Sequence, residues 1–399
     1  MKSILKKISL LAITVLTAAT LNASNIIMGN NQNASKVNNQ KVTRNSELRG
    51  VWVASVSNID WPSKKGLSAD QQKREFLTIL DNVKKWNMNA VFVQIKPTAD
   101  AFYPSKYSPW SEYLTGTQGI NPGYDPLKFM VEEAHKRGIE FHAWFNPYRL
   151  STSGSRDRLS KDNIGRKKPE WTVAYGGQLY LNPGIPEVND YVVNSIVEVV
   201  KNYDVDGVHM DDYFYPYKVK NQEYPDSAQF KKYGNKFSSI GDWRRNNAVS
   251  YTHLTLPFGV WRNASTDPSR GSATKAGVQN YDDLYADILL WMNKGWIDYV
   301  APQIYWNQGH KSAEYNTLVK WWSKYAGQTQ TDLYIGQAAY KVNDWQNAKE
   351  LINQVNFNRN YPEVKGSIFF SYKSLLTNPK NATNSLAQGP YSNNGNQEF

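Results

Sequence analysis

Asp211 and Asp212 stand side by side after a short apolar run, with His209 before them and Tyr213 and Tyr215 after. Adjacent carboxylates repel each other, so one tends to keep its proton near neutral pH while the other stays ionised. Such a pair can supply a general acid. It can equally cap a loop, so its meaning depends on where the fold puts it. His209, two residues before Asp211, shares its strand face and either orients it or is a buried, hydrogen-bonded imidazole. With 5 His in the chain and no ligand spacing among them, no metal and no cofactor is expected, and His135 and His142 read as structural. The sequence has no Gly-x-Ser-x-Gly elbow and no phosphate loop, which disfavours an esterase or a nucleotide enzyme.

Those carboxylates need a scaffold, and the chain supplies one by repetition. Short apolar or alternating runs occur at Leu48 to Ser55, Ala90 to Pro97, Ile139 to Pro147, Gly207 to Phe214, about His253 to Trp261, Tyr299 to Trp306, Leu333 to Tyr340 and Gly366 to Tyr372. Between them lie stretches of helical period: Ala69 to Trp86, Pro126 to Arg137, Glu187 to Asn202, Tyr281 to Asn293, Ser312 to Tyr325 and Trp345 to Val355. Gly138, after His135-Lys136-Arg137, reads as a helix C-cap with cations in the last turn. Eight such units, with no Gly-rich dinucleotide loop after the first strand, predict an α/β chain closed as a (β/α)8 TIM barrel.

In that fold chemistry sits at the C-terminal ends of the strands. The residues there are polar and aromatic. The candidate binding set is Trp52 on strand one, Gln94 and Lys96 on two, Asn146, Tyr148 and Arg149 on three, and His209, Tyr213 and Tyr215 on four. Trp261 and Arg262 follow strand five, Gln303, Tyr305 and Trp306 strand six, Gln337 strand seven and Tyr372 strand eight. Aromatic faces stack on the apolar side of a pyranose while amides bond its hydroxyls, so this mouth suits a sugar; a single Trp packs as readily under a loop.

Lys2, Lys6 and Lys7 precede an apolar stretch from Ile8 to Leu16 and small residues at Thr17-Ala18-Ala19, the layout of a signal peptide over 1–23. The stretch is shorter than the roughly 20 residues of a membrane span. With no cysteine, disulfides, thiol catalysis and a lipidated cysteine anchor are excluded. The product is therefore expected to be secreted or associated with the cell envelope, without a stable membrane anchor. Residues 24–46 read as a disordered linker, 47–377 as the barrel, and 378–399 as a flexible tail. The net charge of +11 suits a polyanionic neighbour such as a cell-wall polymer, or simply a solvated basic exterior. Arg166-Lys167-Lys168 is too short a cluster to indicate nucleic acid.

Several ordered motifs carry a family resemblance: Leu48-Arg49-Gly50-Val51-Trp52-Val53, Ala90-Val91-Phe92-Val93-Gln94, His142-Ala143-Trp144-Phe145-Asn146-Pro147-Tyr148-Arg149, Leu181-Asn182-Pro183-Gly184, Asp206-Gly207-Val208-His209-Met210-Asp211-Asp212-Tyr213-Phe214-Tyr215-Pro216, Phe258-Gly259-Val260-Trp261-Arg262-Asn263 and Pro302-Gln303-Ile304-Tyr305-Trp306. From Glu47 to Tyr372 the sequence resembles glycosyl-hydrolase-like family ten, exported bacterial (β/α)8 proteins that include hydrolases of peptidoglycan strands stripped of stem peptides. The resemblance implies a hydrolase of O-glycosyl bonds acting on an N-acetylated wall glycan. Asp212 is then expected as general acid and Asp211 as its partner, holding a substrate acetamide or acting as nucleophile, since strand seven ends in Gln337 and not in a second carboxylate. The Asp206 to Asp211 run is faintly similar to the strand-four pattern of substrate-assisted chitinases, which would bring Tyr305 to the acetamide. The alternatives are a non-catalytic wall-glycan-binding protein and a hydrolase of another polysaccharide. One segment departs from the family: only Ala248 to Pro257 separates Asn247 from the Phe-Gly motif, and Val249 to Pro257 resembles a translated sequencing adapter. That predicts a nearly absent fourth helix and weakened closure between strands four and five.

Overall fold

Side chains alternate inward and outward along eight short parallel strands: β1 (Leu48–Val53), β2 (Ala90–Lys96), β3 (Glu140–Phe145), β4 (Gly207–Met210), β5 (Leu254–Leu256), β6 (Tyr299–Pro302), β7 (Asp332–Ala338) and β8 (Val364–Phe370). Each pairs with its neighbours in sequence, and β8 pairs with β1, so the sheet closes into the expected barrel. The computed structural model describes residues 47–211, 214–248, 254–256 and 259–392, the side chains of 254–256 excepted. The signal-peptide and linker segments, 1–46, lie outside the described residues.

Helices α1 (Ala69–Lys85), α2 (Pro126–His135), α3 (Pro186–Asn202), α4 (Ile240–Asn247), α5 (Ile288–Asn293), α6 (Tyr315–Ala326) and α7 (Glu350–Asn358) fill the crossovers. The start of α1 is set by a capping box in which Ser68 accepts from the Gln71 N–H and Gln71 reaches back, and the helix buries Phe76, Ile79, Leu80 and Val83 at helical spacing. The stretch Tyr281 to Asn293 is not one helix. Tyr285 takes a positive φ of 56° and Asp287 caps α5 by accepting from the Leu290 N–H, which splits the stretch in two.

The crossover from β4 to β5 is long but its helices are short, a seven-residue turn of helix at Ser227–Tyr233 and the eight-residue α4 among the described residues. Closure nevertheless holds, because β5 contributes backbone pairing: one register pair with β4, Met210 with Leu254, and three with β6. The tail expectation fails up to residue 392. Helix α8 (Ala382–Gln388) buries Ala382, Thr383 and Leu386. Tyr391 is fully buried with the Arg49 and Arg359 guanidiniums over its ring, each 5.8 Å from the centroid. A few well-spaced apolar residues dock the segment although its Asn, Gly and Ser content is high.

The barrel interior is aromatic and polar. Trp52, Phe92, Trp144, Tyr299, Tyr334 and Ile368 form its core. Glycines opposite make room, since a Cβ at Gly207 would lie 2.4 Å from His142 Nδ1 and one at Gly336 2.9 Å from the Trp52 ring. A file of hydrogen bonds descends through it. The Trp52 indole donates to His209 Nε2 at 2.8 Å, which leaves the imidazole proton on Nδ1, facing the Tyr299 hydroxyl at 2.9 Å. The Tyr299 hydroxyl lies 3.5 Å from His142 Nδ1, and His142 Nε2 lies 3.2 Å from Glu140 at the barrel's N-terminal end. Burial, reinforced by His142, holds His209 far below the usual imidazole range, so it stays neutral.

Candidate active site

Asp211 follows β4 immediately and is 6% exposed. Its N–H donates to the Phe145 carbonyl at 3.1 Å, and its own carbonyl accepts from Asn146 Nδ2 at 2.9 Å, so its backbone is pinned to the end of β3. Gln303, just after β6, donates Nε2 to Asp211 Oδ1 at 2.9 Å. Behind it, Asn146 Oδ1 accepts from Gln94 Nε2 at 2.5 Å, and Gln94 Oε1 accepts the N–H groups of Ser55 and Val56 at 3.0 and 2.8 Å. A chain of amides thus runs from the loop after β1 to the Asp211 backbone carbonyl, while Gln303 alone of these amides reaches the carboxylate. An amide donor favours the ionised carboxylate, as does the Arg149 guanidinium that lines the same hollow.

That hollow, about 210 Å³, opens at the C-terminal mouth of the barrel. Its walls are Ala54, Val56, Ile59, Gln94, Trp144, Arg149, Asp211, Gln303, Tyr305, Tyr340 and Phe370. Tyr305 and Phe370 both meet Tyr340 edge-on, with centroids 5.9 and 6.1 Å away. Among the described wall residues Asp211 is the one carboxylate. No group of three or more His, Asp or Glu among the described residues is arranged to hold a metal ion.

Of the candidates read from sequence, Gln94, Asn146, Arg149, Asp211, Gln303 and Tyr305 converge here. Asp212 and Tyr213 lie outside the described residues. Trp52 and His209 brace the floor; both His209 ring nitrogens are engaged by Trp52 and Tyr299. Lys96 turns out of the barrel at a register shift and bonds Ser108, and burial pushes its ammonium down to about 8. Gln337 also faces outward and donates to Gln354 on α7 at 3.1 Å. Tyr148 donates to Asn189 on α3, and Tyr372 accepts from Asn82 on α1. Trp261 stacks on Trp321, Arg262 pairs with Asp282 at 2.7 Å, and Trp306 lies against His310. Tyr215 lines a separate hollow of about 570 Å³ beside the mouth. Asp206 bonds His135 and the Phe141 N–H at the opposite end of the barrel, so the chitinase-like run does not bring both its ends to the mouth.

The set read from sequence omits Trp144, Tyr340 and Phe370. Trp144 sits two residues after the inward His142, and that strand parity is the signal that would have found it.

The family described as Glycosyl hydrolase-like 10 matches residues 47–352. Glycosyl hydrolase YngK of Bacillus subtilis (strain 168) is 56% identical over 368 residues, covering 87% of this chain and 72% of that one. Glycosyl hydrolase DigH of Escherichia coli (strain K12) is 40% identical over 364 residues, covering 81% and 82%. In fold the chain is similar to the PgaB (BpsB) glycoside hydrolase domain of Bordetella bronchiseptica, with TM-score 0.50, 12% identity and 85% and 98% coverage. It is also similar to the chitobiase of Flavobacterium johnsoniae, with TM-score 0.51, 11% identity and 86% and 48% coverage. Because the family model matches residues 47–352 and a glycosyl hydrolase is 56% identical over 87% of this chain, the chain belongs to the glycosyl hydrolase-like 10 family and is a glycoside hydrolase.

Proposed function

We propose that this glycosidase is exported and cleaves an N-acetylated cell-wall glycan, peptidoglycan strands lacking stem peptides, at the hollow that holds Asp211. The observation that carries the reading is Asp211 itself, fixed by backbone bonds to β3 and held in the hollow by the hydrogen bond that its Oδ1 accepts from Gln303. With no second carboxylate among the described wall residues, the substrate's acetamide is the fitting nucleophile. Its carbonyl oxygen attacks the anomeric carbon while Asp211 holds the acetamide N–H. The glycosidic C–O bond breaks as Asp212 protonates the leaving oxygen, and water then opens the cyclic intermediate. The signal-like N-terminus supports export, and the charge of +11 favours encounter with a polyanionic wall.

The test is incubation with peptide-free glycan, intact peptidoglycan and neutral β-glucans, followed by mass spectrometry. Products are expected from the first substrate, and Asp211→Asn or Asp212→Asn should each lower turnover by about a thousandfold or more. A double variant that retains full activity overturns the carboxylate assignment. Tight binding with no product from any glycan would favour a wall-glycan-binding role.

A further inference from the structure

Two hollows flank the mouth, and their charges differ. The first, about 320 Å³, lies over the loops after β1, β2 and β3. It is built on the same loops as the central hollow: Ser57 and Asn58 lie between the central wall residues Val56 and Ile59, and Leu150 and Ser151 follow the central wall residue Arg149. Its walls carry the hydroxyls of Ser57 and Thr152 and two cations. Lys65 is paired with Glu112, whereas Arg158 is exposed and makes no ion pair among the described residues. The balance there is positive.

The second hollow, about 570 Å³, lies over the loops after β4 and β5. Its Lys218 is answered by Asp283 at 2.8 Å, and its buried Arg244 is held by Asp226 at 2.9 and 2.6 Å. Exposed Glu223 is left over, with no ion pair among the described residues. The balance there is neutral to negative.

We infer that the first hollow is a subsite for a sugar bearing a carboxylate, with Arg158 as its partner, and the second receives the neutral N-acetylated sugar. The inference rests on the glycosidase reading above and adds a direction: an alternating glycan lies across Asp211 with its acidic residue toward β1–β3. A sugar-borne carboxylate can be a lactyl ether, freed when a stem peptide is removed, or a uronic acid. The first fits an enzyme of peptide-free strands, since an intact stem peptide turns that carboxylate into an amide and removes the charge.

The test reads binding without turnover, by calorimetry on Asp211→Asn and on the same protein carrying Arg158→Ala. The probes are peptide-free glycan oligomers, the same oligomers with carboxyls reduced to alcohols, and a uronic acid oligomer. A guanidinium–carboxylate bond is worth about tenfold or more in affinity, so Asp211→Asn should prefer native over reduced oligomers by about that factor. Arg158→Ala should bring the ratio close to one, and Arg158→Lys should restore part of it. Because Arg158 is exposed, thermal unfolding should match among the variants. An equal ratio with and without Arg158 overturns the subsite. Uronic acid oligomers binding as tightly as native ones overturn the lactyl source. Failure of cleavage with the binding preference intact overturns the hydrolytic assignment alone.

Discussion

Gln303 donates to Asp211 Oδ1 at 2.9 Å from the end of the neighbouring β6, and its contribution can be read as a titration. Removing a donor that favours the charged carboxylate raises its pKa. Gln303→Leu should therefore move the acidic limb of the kcat/KM against pH profile upward, and Gln303→Glu further, because a second carboxylate repels the first. An acidic limb that stays put in both variants shows that another group titrates there. The residues around Asp211 were legible to the degree that strand parity governs them. Gln94 shares its face with the inward Phe92, and Asp211 with His209. Gln337 shares its face with Leu333 and Ile335, which pack outward, so its exclusion from the mouth was readable. Lys96 was not: the register shift after Gln94 changes its direction, and nothing in the spacing of residues announces a bulge.

Asp60 ties the elements of the rim together. Its carboxylate accepts from the Ala54 N–H at 2.8 Å, the Ser371 hydroxyl at 2.8 Å and the Lys373 N–H at 2.7 Å, so one side chain joins the end of β1 to the end of β8. Between these anchors runs the loop that presents Val56 and Ile59 to the hollow. Asp60→Ala leaves buried donors unmet, at a cost of about 1–3 kcal/mol, and loosens that wall. The expected result is a lower urea midpoint together with a KM raised more than kcat is lowered. Serine hydroxyl and amide donors still find an acceptor in Asp60→Asn, which should recover part of both. An unaltered KM with lowered stability would show that the clamp supports the fold and not the binding wall. Strands and most helices were legible because hydrophobic period and capping residues agree, as at Ser68 and Gln71. The break at Tyr285 depends on a positive φ that Gly or Asn would have announced and Tyr does not.

Across the whole molecule, the closing contacts are the least local and were the least legible. The docking of Tyr391 against Arg49 and Arg359 joins the last described turn to the first strand, and average composition over 378–399 hides it. The interior file from Trp52 to Glu140 is likewise assembled from four strands, and it makes a prediction about acid stability. His209 is buried and neutral, with its folded pKa far below the ordinary value of about 6.5. Below that ordinary value the unfolded chain takes up a proton that the folded barrel refuses, so stability should fall as pH drops from about 6.5, approaching about 1.4 kcal/mol per pH unit for this one group. The fall ends where the folded imidazole itself becomes protonated. Glutamine can accept from the Trp52 indole and donate to the Tyr299 hydroxyl without titrating. His209→Gln should therefore be less well packed at pH 7.5 but lose less stability between pH 6.5 and 5.0 than the parent, as measured by urea unfolding at each pH. Parallel losses in the two proteins would assign the acid sensitivity to other groups and leave His209 a packing role alone.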